Sequence, residues 1–255
     1  MPCGNKGRKR SVKHAFKRGR FYRIAVNGSN IGRGISRRKL KYYCGKAWDG
    51  KEYVGFAAGH KYGKKPRKNS LFFSFEMSMG QLNLRLKELI GKETEISELP
   101  ISLDDPCWIT PNLIREKLSN IQNLGAVILD YVQLIRHNEA HIQGWQKQNL
   151  CEIIRELKQI AKEFRIIVIG ISQLPRTTED RRDHHPTIND FLCMDNAMEQ
   201  YADTVLLLYR DAYYNHTADR SSMEIVVAKN RYGKTDTLKF CWSEIYPLIP
   251  MAWYP

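Results

Sequence analysis

From Ser70 onward the sequence predicts an α/β domain with a mostly parallel sheet flanked by helices. Three observations carry this expectation. Short apolar runs of strand length alternate with longer amphipathic segments of helix length. The runs are mainly apolar, which suits buried parallel strands. Several end in a polar or acidic residue, and an α/β sheet gathers its ligand groups outside the carboxyl ends of its strands.

In chain order, Leu71 to Phe75 is the first predicted strand of this region. Ser78 and Gln81 then form a capping box ahead of Leu82, Leu86, Leu89 and Ile90, so a helix starts there. Thr110 before Pro111 opens a second helix, with Ile114, Leu118 and Ile121 on one face. Ala126 to Leu129 is the next strand. The longest helix, about 146–164, lines Leu150, Ile153, Ile154, Leu157, Ile160, Ala161 and Phe164 along one stripe opposite charged residues. Ile166 to Ile171, Thr204 to Tyr209, Glu224 to Ala228 and Thr237 to Cys241 complete the predicted strands. There is no internal repeat.

Composition narrows the class. The 255 residues, 42% hydrophobic, suffice for one medium domain or two small ones with a packed core. No apolar run is long enough to span a bilayer and the N-terminus lacks a secretory core, so a soluble, cytoplasmic protein is expected. The six cysteines lie far apart with no C-x-x-C pair, which argues against a zinc site or a disulfide framework. Net charge is +14, but it is unevenly placed: residues 1–70 hold 21 of the 41 Lys and Arg and two of the 27 acids, leaving a net of −5 for the rest. The basicity therefore describes the first segment and not the domain. Residues 1–69 also hold 11 of the 17 glycines and show no sustained periodicity, so they read as a basic, Gly-rich segment ahead of a core at 70–255.

Three strand ends carry candidate chemistry. The run through Phe75 delivers Glu76, a carboxylate able to orient an attacking water in a nucleotide hydrolase. Ala126 to Leu129 ends in Asp130, the form of a Walker B strand, and magnesium binds through few protein oxygens fixed on a rigid element. Ile166 to Ile171 leads to Ser172 and Gln173, whose amide can sense a γ-phosphate by hydrogen bonding. Taken singly, each has an ordinary reading as a cap, a turn residue or an ion-pair partner.

Together they say more. The stretches LFFSFEMS, AVILDYVQL, IIVIGISQLPR, AMEQYADTVLLLYRDAYYN and IVVAKNRYGKTDTLKF occur in the order and approximate spacing of the DnaB-type replicative helicase core, which this region resembles. The resemblance covers about two-thirds of the chain, and LDYVQL and AKNRYG are its most specific parts. It implies a RecA-like P-loop NTPase fold and ATP-driven, Mg2+-dependent unwinding of DNA in replication. It also implies a ring hexamer moving 5′ to 3′ on single-stranded DNA, with other replication proteins as partners, in a bacterial or phage-like cytoplasm. By the same resemblance Glu76 is the catalytic glutamate, Asp130 the magnesium-organising carboxylate and Gln173 the γ-phosphate sensor. Lys229 and Arg231 are the pair that reaches a neighbouring subunit's nucleotide. Arg176, Arg181 and Arg182 lie in a loop expected to line the nucleic-acid channel.

Two departures stand out. Where the family has an Arg-Glu-Ser-Gly-like loop that holds the DNA backbone, this chain reads Cys193-Met194-Asp195-Asn196, with an acid replacing a base. No G-x-x-x-x-G-K-[ST] occurs anywhere, so backbone amides and a lysine cradling the phosphates are missing from the sequence. Gly233-Lys234-Thr235 lacks the preceding glycines and leads into strand-like sequence, so it is not such a loop. Read one nucleotide forward, degenerate codons for Tyr42 to Glu52 permit I-I-V-G-R-P-G-M-G-K-S, a strand running into a phosphate loop. Residues from about 21 to 65 are therefore expected to be a helicase segment translated out of frame, leaving the first strand and loop degenerate or absent. The alternative is a non-catalytic RecA-like module that binds DNA or helicase rings through a basic N-terminal tail.

Overall fold

The computed structural model describes residues 25–26, 29–30, 39–45, 69–90, 96, 99–137, 147–190 and 200–241. A two-residue pairing, β1 (Ala25–Val26) with β2 (Ser29–Asn30), stands apart from the main sheet. The remaining strands are β3 (Lys39–Gly45), β4 (Asn69–Ser74), β5 (Ile101–Asp104), β6 (Leu124–Asp130), β7 (Ile167–Gln173), β8 (Thr204–Tyr209), β9 (Ser222–Asn230) and β10 (Asp236–Cys241). Among the described residues they form one sheet in the order β10-β9-β8-β3-β7-β6-β4-β5. The run from β8 to β5 is parallel, and β9 and β10 extend it as an antiparallel hairpin.

Among the described residues three α-helices pack on the sheet. Helix α1 (Met79–Ile90) starts at the predicted capping box, in which the Ser78 N–H donates to Gln81 Oε1 at 2.9 Å. Helix α2 (Pro111–Ser119) is capped by Thr110, whose Oγ1 accepts from the Leu113 N–H at 3.3 Å. Helix α3 (Lys147–Glu163) buries Ile153, Ile154, Leu157, Ile160 and Ala161, the predicted stripe. It ends with Arg165 in the left-handed region at φ 53° while the Ile166 N–H reaches back to the Ala161 carbonyl at 3.2 Å.

Strand alternation divides the core between two faces. Leu71, Phe73, Val127, Leu129 and Val168 pack with Ile114, Leu118 and the α3 stripe. Phe72, Ala126, Ile128, Ile169 and Ile171 pack on the other side with Leu82 and Leu86 of α1. Each such leucine or phenylalanine, removed from water, contributes about 1.5–3 kcal/mol, so both faces hold the strands in register.

Two strands differ from the sequence expectation. β5 reads Ile-Ser-Leu-Asp, too short and too polar to show as an apolar run, yet it forms the edge beside β4. β3 lies within the basic segment set apart by composition, and its reading Lys-Leu-Lys-Tyr-Tyr-Cys-Gly carries no apolar run. It pairs in parallel with both β7 and β8 and so belongs to the middle of the sheet.

Candidate functional site

The carboxyl ends of β4, β6 and β7 are neighbours in the sheet, and each carries one of the predicted residues. β4 ends at Ser74, which faces Asp130 across the ladder. The Phe75 N–H donates to the Asp130 carbonyl at 2.8 Å, and Ser74 Oγ accepts from the Met77 N–H at 3.0 Å. These bonds shape a bend that presents Glu76 exposed at the sheet edge. Asp130, by contrast, is buried at the end of β6. Tyr131 reports both carboxylates: its hydroxyl is pushed above the usual tyrosine range first by burial, then by the charge of Glu76, then by that of Asp130.

Gln173 ends β7, opposite Gly45 at the end of β3. Sequence reasoning passed over the residue that secures this point. Gln133, in the short helical turn Val132–Leu134, donates from Nε2 to Ser172 Oγ at 2.8 Å and to the Gln173 carbonyl at 2.9 Å. It thereby ties the exit of β6 to the exit of β7. Glu76, Asp130 and Gln173 thus stand on adjacent strand ends, with about 5 Å between successive strands.

Lys229 and Arg231 lie elsewhere. Lys229 pairs with Val205 on antiparallel β9, and the Arg231 N–H donates to the Asp203 carbonyl at 2.8 Å just before β8 begins. Through β3, that level corresponds to Val168, near the amino end of β7. Five residues of rise and three strand spacings therefore separate Arg231 from Gln173, roughly 20 Å. No arginine side chain spans that distance. Within one chain the cations and the carboxylates occupy opposite edges of the sheet.

At the amino edge Asp203 is a hub that sequence reasoning also missed. It is fully buried, with Lys158 of α3 on Oδ2, Arg231 Nη1 at 3.4 Å from Oδ1 and Tyr232 Oη donating to Oδ1 at 3.3 Å. Burial, and then the Asp203 charge, raises the Tyr232 hydroxyl above its ordinary range. The available sign was Lys158 itself, a cation spaced four residues after Ile154 and three before Ala161 on the apolar stripe.

The loop after β7 carries the predicted channel arginines. Arg181 is clamped by Asp190, at 2.9 Å through Nη1 and 3.0 Å through Nη2, and Nη2 also donates to the His185 carbonyl at 3.0 Å. Arg182 is exposed. Arg176 belongs to the turn Arg176–Glu179, with its side chain outside the described residues. His185 stacks on Tyr209 at 3.9 Å between centroids and His184 on Tyr214 at 4.0 Å, which packs this loop against the end of β8. Burial pushes the Tyr209 hydroxyl up to about 12, with the Asp211 hydrogen bond adding to it. The segment Cys193-Met194-Asp195-Asn196 lies outside the described residues, and the span from about 21 to 65 expected to be out of frame is described only at 25–26, 29–30 and 39–45.

The donor set suits part of a nucleotide and metal site. One buried and one exposed carboxylate with a neutral amide match the hard oxygen preference of magnesium and the hydrogen-bonding needs of a terminal phosphate. Among the described residues no three or more His, Cys, Asp and Glu cluster to hold a metal unaided. Magnesium, which keeps several waters, does not require such a cluster. A phosphate cradle is missing from the sequence itself, which contains no G-x-x-x-x-G-K-[ST]. No described helix is long and apolar enough to cross a membrane.

The chain is 32% identical over 239 residues to the replicative DNA helicase DnaB of Geobacillus stearothermophilus, covering 84% of this chain and 52% of that protein. It is 35% identical over 217 residues to a probable replicative DNA helicase of Trieres chinensis, covering 72% and 46%. The chain spans about half the length of the curated relatives it matches. Among solved structures, an isolated ATPase domain superposes with a TM-score of 0.70 at 24% identity, covering 82% of each chain. A DnaB-like replicative helicase studied for its interactions with primase gives the same score and identity over 82% of this chain and 56% of its own. The fold is therefore the RecA-like one of these ATPase domains. Residues 80–248 match the family described as the DnaB-like helicase C terminal domain, and the chain belongs to that family.

Proposed function

We propose that this chain is the core of a replicative DNA helicase which, in the form with an intact phosphate loop, hydrolyses ATP with Mg2+ to drive a hexameric ring 5′ to 3′ along single-stranded DNA; lacking that loop, the chain as given is inactive. One observation carries the reading: the carboxylates and amide stand at one edge of the sheet while Lys229 and Arg231 stand roughly 20 Å away at the other. A second copy is needed to bring the two sets together.

In this reading Asp130 organises the magnesium ion, which when bound supplies positive charge to the phosphate oxygens. Glu76, exposed at the bend after β4, orients the attacking water and takes its proton. The Gln173 amide donates to the terminal phosphate, and Gln133 holds its strand end in place. Lys229 and Arg231 of the adjoining copy stabilise the charge that develops during transfer. Arg176, Arg181 and Arg182 belong to the loop facing the nucleic acid, with Arg182 the most exposed of those whose side chains are described.

The phosphate loop is the part this polypeptide does not spell out. β3 supports the out-of-frame reading: it lies between β7 and β8 and ends at Gly45, where the shifted frame places I-I-V-G ahead of the loop. The encoding DNA decides that point directly. For the function, the chain carrying the loop restored in frame is expected to hydrolyse ATP, faster with single-stranded DNA, and Glu76→Gln to lower turnover at least about 100-fold. A chain as given that binds DNA without nucleotide and loses that binding with added salt, while the restored chain shows no ATP turnover, would be a docking module instead.

A further inference from the structure

The hairpin turn at the amino edge is built around more positive than negative charge. Asp203 is fully buried at the mouth of β8, and a carboxylate withdrawn from water requires a counter-charge. Lys158, with only 10% of its side chain exposed, makes the closer contact through Oδ2. Arg231 stands at 3.4 Å from the other oxygen. One lysine suffices for one carboxylate, so the three side chains together keep a surplus positive charge. That surplus lies on the outermost member, since the Arg231 side chain is 44% exposed. Its backbone N–H bonds the Asp203 carbonyl at 2.8 Å and its Nη2 the Gln200 carbonyl at 3.0 Å, neutral acceptors that aim the guanidinium without cancelling its charge.

We propose that Lys158 is a positioning residue acting on Arg231 through Asp203: the Asp203 backbone carbonyl anchors the turn, and Lys158 neutralises the Asp203 carboxylate so that Arg231 meets a phosphate on another copy with its full charge. This rests on the reading of Arg231 as the cation that acts on a neighbour's nucleotide. Were Lys158 absent, Asp203 would pair with Arg231 and the turn would carry no surplus. Charge arithmetic then sets an order of anion affinities that no simple loss of structure reproduces.

The test titrates inorganic pyrophosphate into the full chain at low salt, following the Arg231 Nε–Hε resonance and the Tyr232 amide by NMR. Lys158→Met is expected to weaken binding at this turn by about tenfold, the scale of one unit charge acting near a protein surface. Lys158→Arg restores it. Asp203→Asn binds as tightly as the parent or tighter. The double variant Lys158→Met with Asp203→Asn, which regains the surplus charge, returns to within about twofold of the parent. Weak binding in Asp203→Asn, or a double variant as weak as Lys158→Met, overturns the proposal. Should Lys158→Met fail to fold, as its thermal melt would show, Asp203→Asn and the double variant decide alone. A parent that shows no response, or a Tyr232 amide that responds equally in Arg231→Ala, sinks the parent reading of Arg231. A parent response lost in Arg231→Ala but unchanged in Lys158→Met sinks the charge-setting role only.

Discussion

At the carboxyl edge of the sheet an exposed Glu76 stands near a buried Asp130, whereas at the amino edge the buried group is the acid, Asp203, and the exposed one is a guanidinium, Arg231. The first set is spread over the ends of β4, β6 and β7, elements whose register is held by two core faces. The second is concentrated at one hairpin turn fixed to one buried ion pair. The contrast teaches how a sheet can divide a reaction between copies. Under the proposed function the acidic edge would collect metal and water and the basic edge of another copy would supply compensating charge, the length of the strands keeping the two apart within one chain.

The strongest way to break this comparison is to separate the two edges onto different polypeptides. In chains with the phosphate loop restored, Glu76→Gln and Arg231→Ala should each lower ATP turnover, the latter by about 1,000-fold or more as expected for a cation acting on a transferring phosphate. Mixing the two variants should recover turnover, because some interfaces then pair an intact acidic edge with an intact basic one. Rates of mixtures that never rise above those of the separate variants would place both groups in a single-chain site.

Stability should expose the same difference. Asp203→Ala leaves Lys158 buried without its carboxylate and is expected to cost about 3–5 kcal/mol in denaturant unfolding. At the opposite edge, Gln133→Leu removes two hydrogen bonds at a part-buried site and should cost about 1–2 kcal/mol. Equal losses would mean that the hub at Asp203 is no more concentrated a support than the tie between β6 and β7.

The two edges were also unequally legible in the sequence. Glu76, Asp130 and Gln173 each follow an apolar run, so one local pattern reveals both the strand and the candidate residue at its end. Ser78 with Gln81, and Thr110 with Pro111, announced the helix starts because capping is a short-range interaction. Lys158 was different: a cation among Ile154, Leu157 and Ala161 signals that a counter-ion is required, but its partner lies 45 residues away and only the fold brings it there. β3 was hidden for another reason. Its two lysines and single leucine give no apolar period, and its membership of the sheet is set by the strands on either side.

The smallest expected effect concerns Gly233, which shapes the turn carrying Arg231. A Cβ built there would meet Asn230 Nδ2 at 2.8 Å. That amide group is not loose: Nδ2 donates to the Lys234 carbonyl at 3.2 Å, and Oδ1 accepts from the Tyr232 N–H at 3.3 Å. Gly233→Ala must therefore displace a side chain that closes the turn on both sides, at a cost of about 1 kcal/mol for the weakened pair of bonds. Since the turn is exposed and the core is untouched, the unfolding midpoint should fall only slightly. The Arg231 Nε–Hε resonance should nevertheless broaden or shift, because Asn230 and Arg231 are consecutive in the chain and the guanidinium is aimed by this turn. A variant that melts earlier while leaving that resonance unmoved would show that Asp203 alone, and not the hairpin geometry, sets the direction of Arg231.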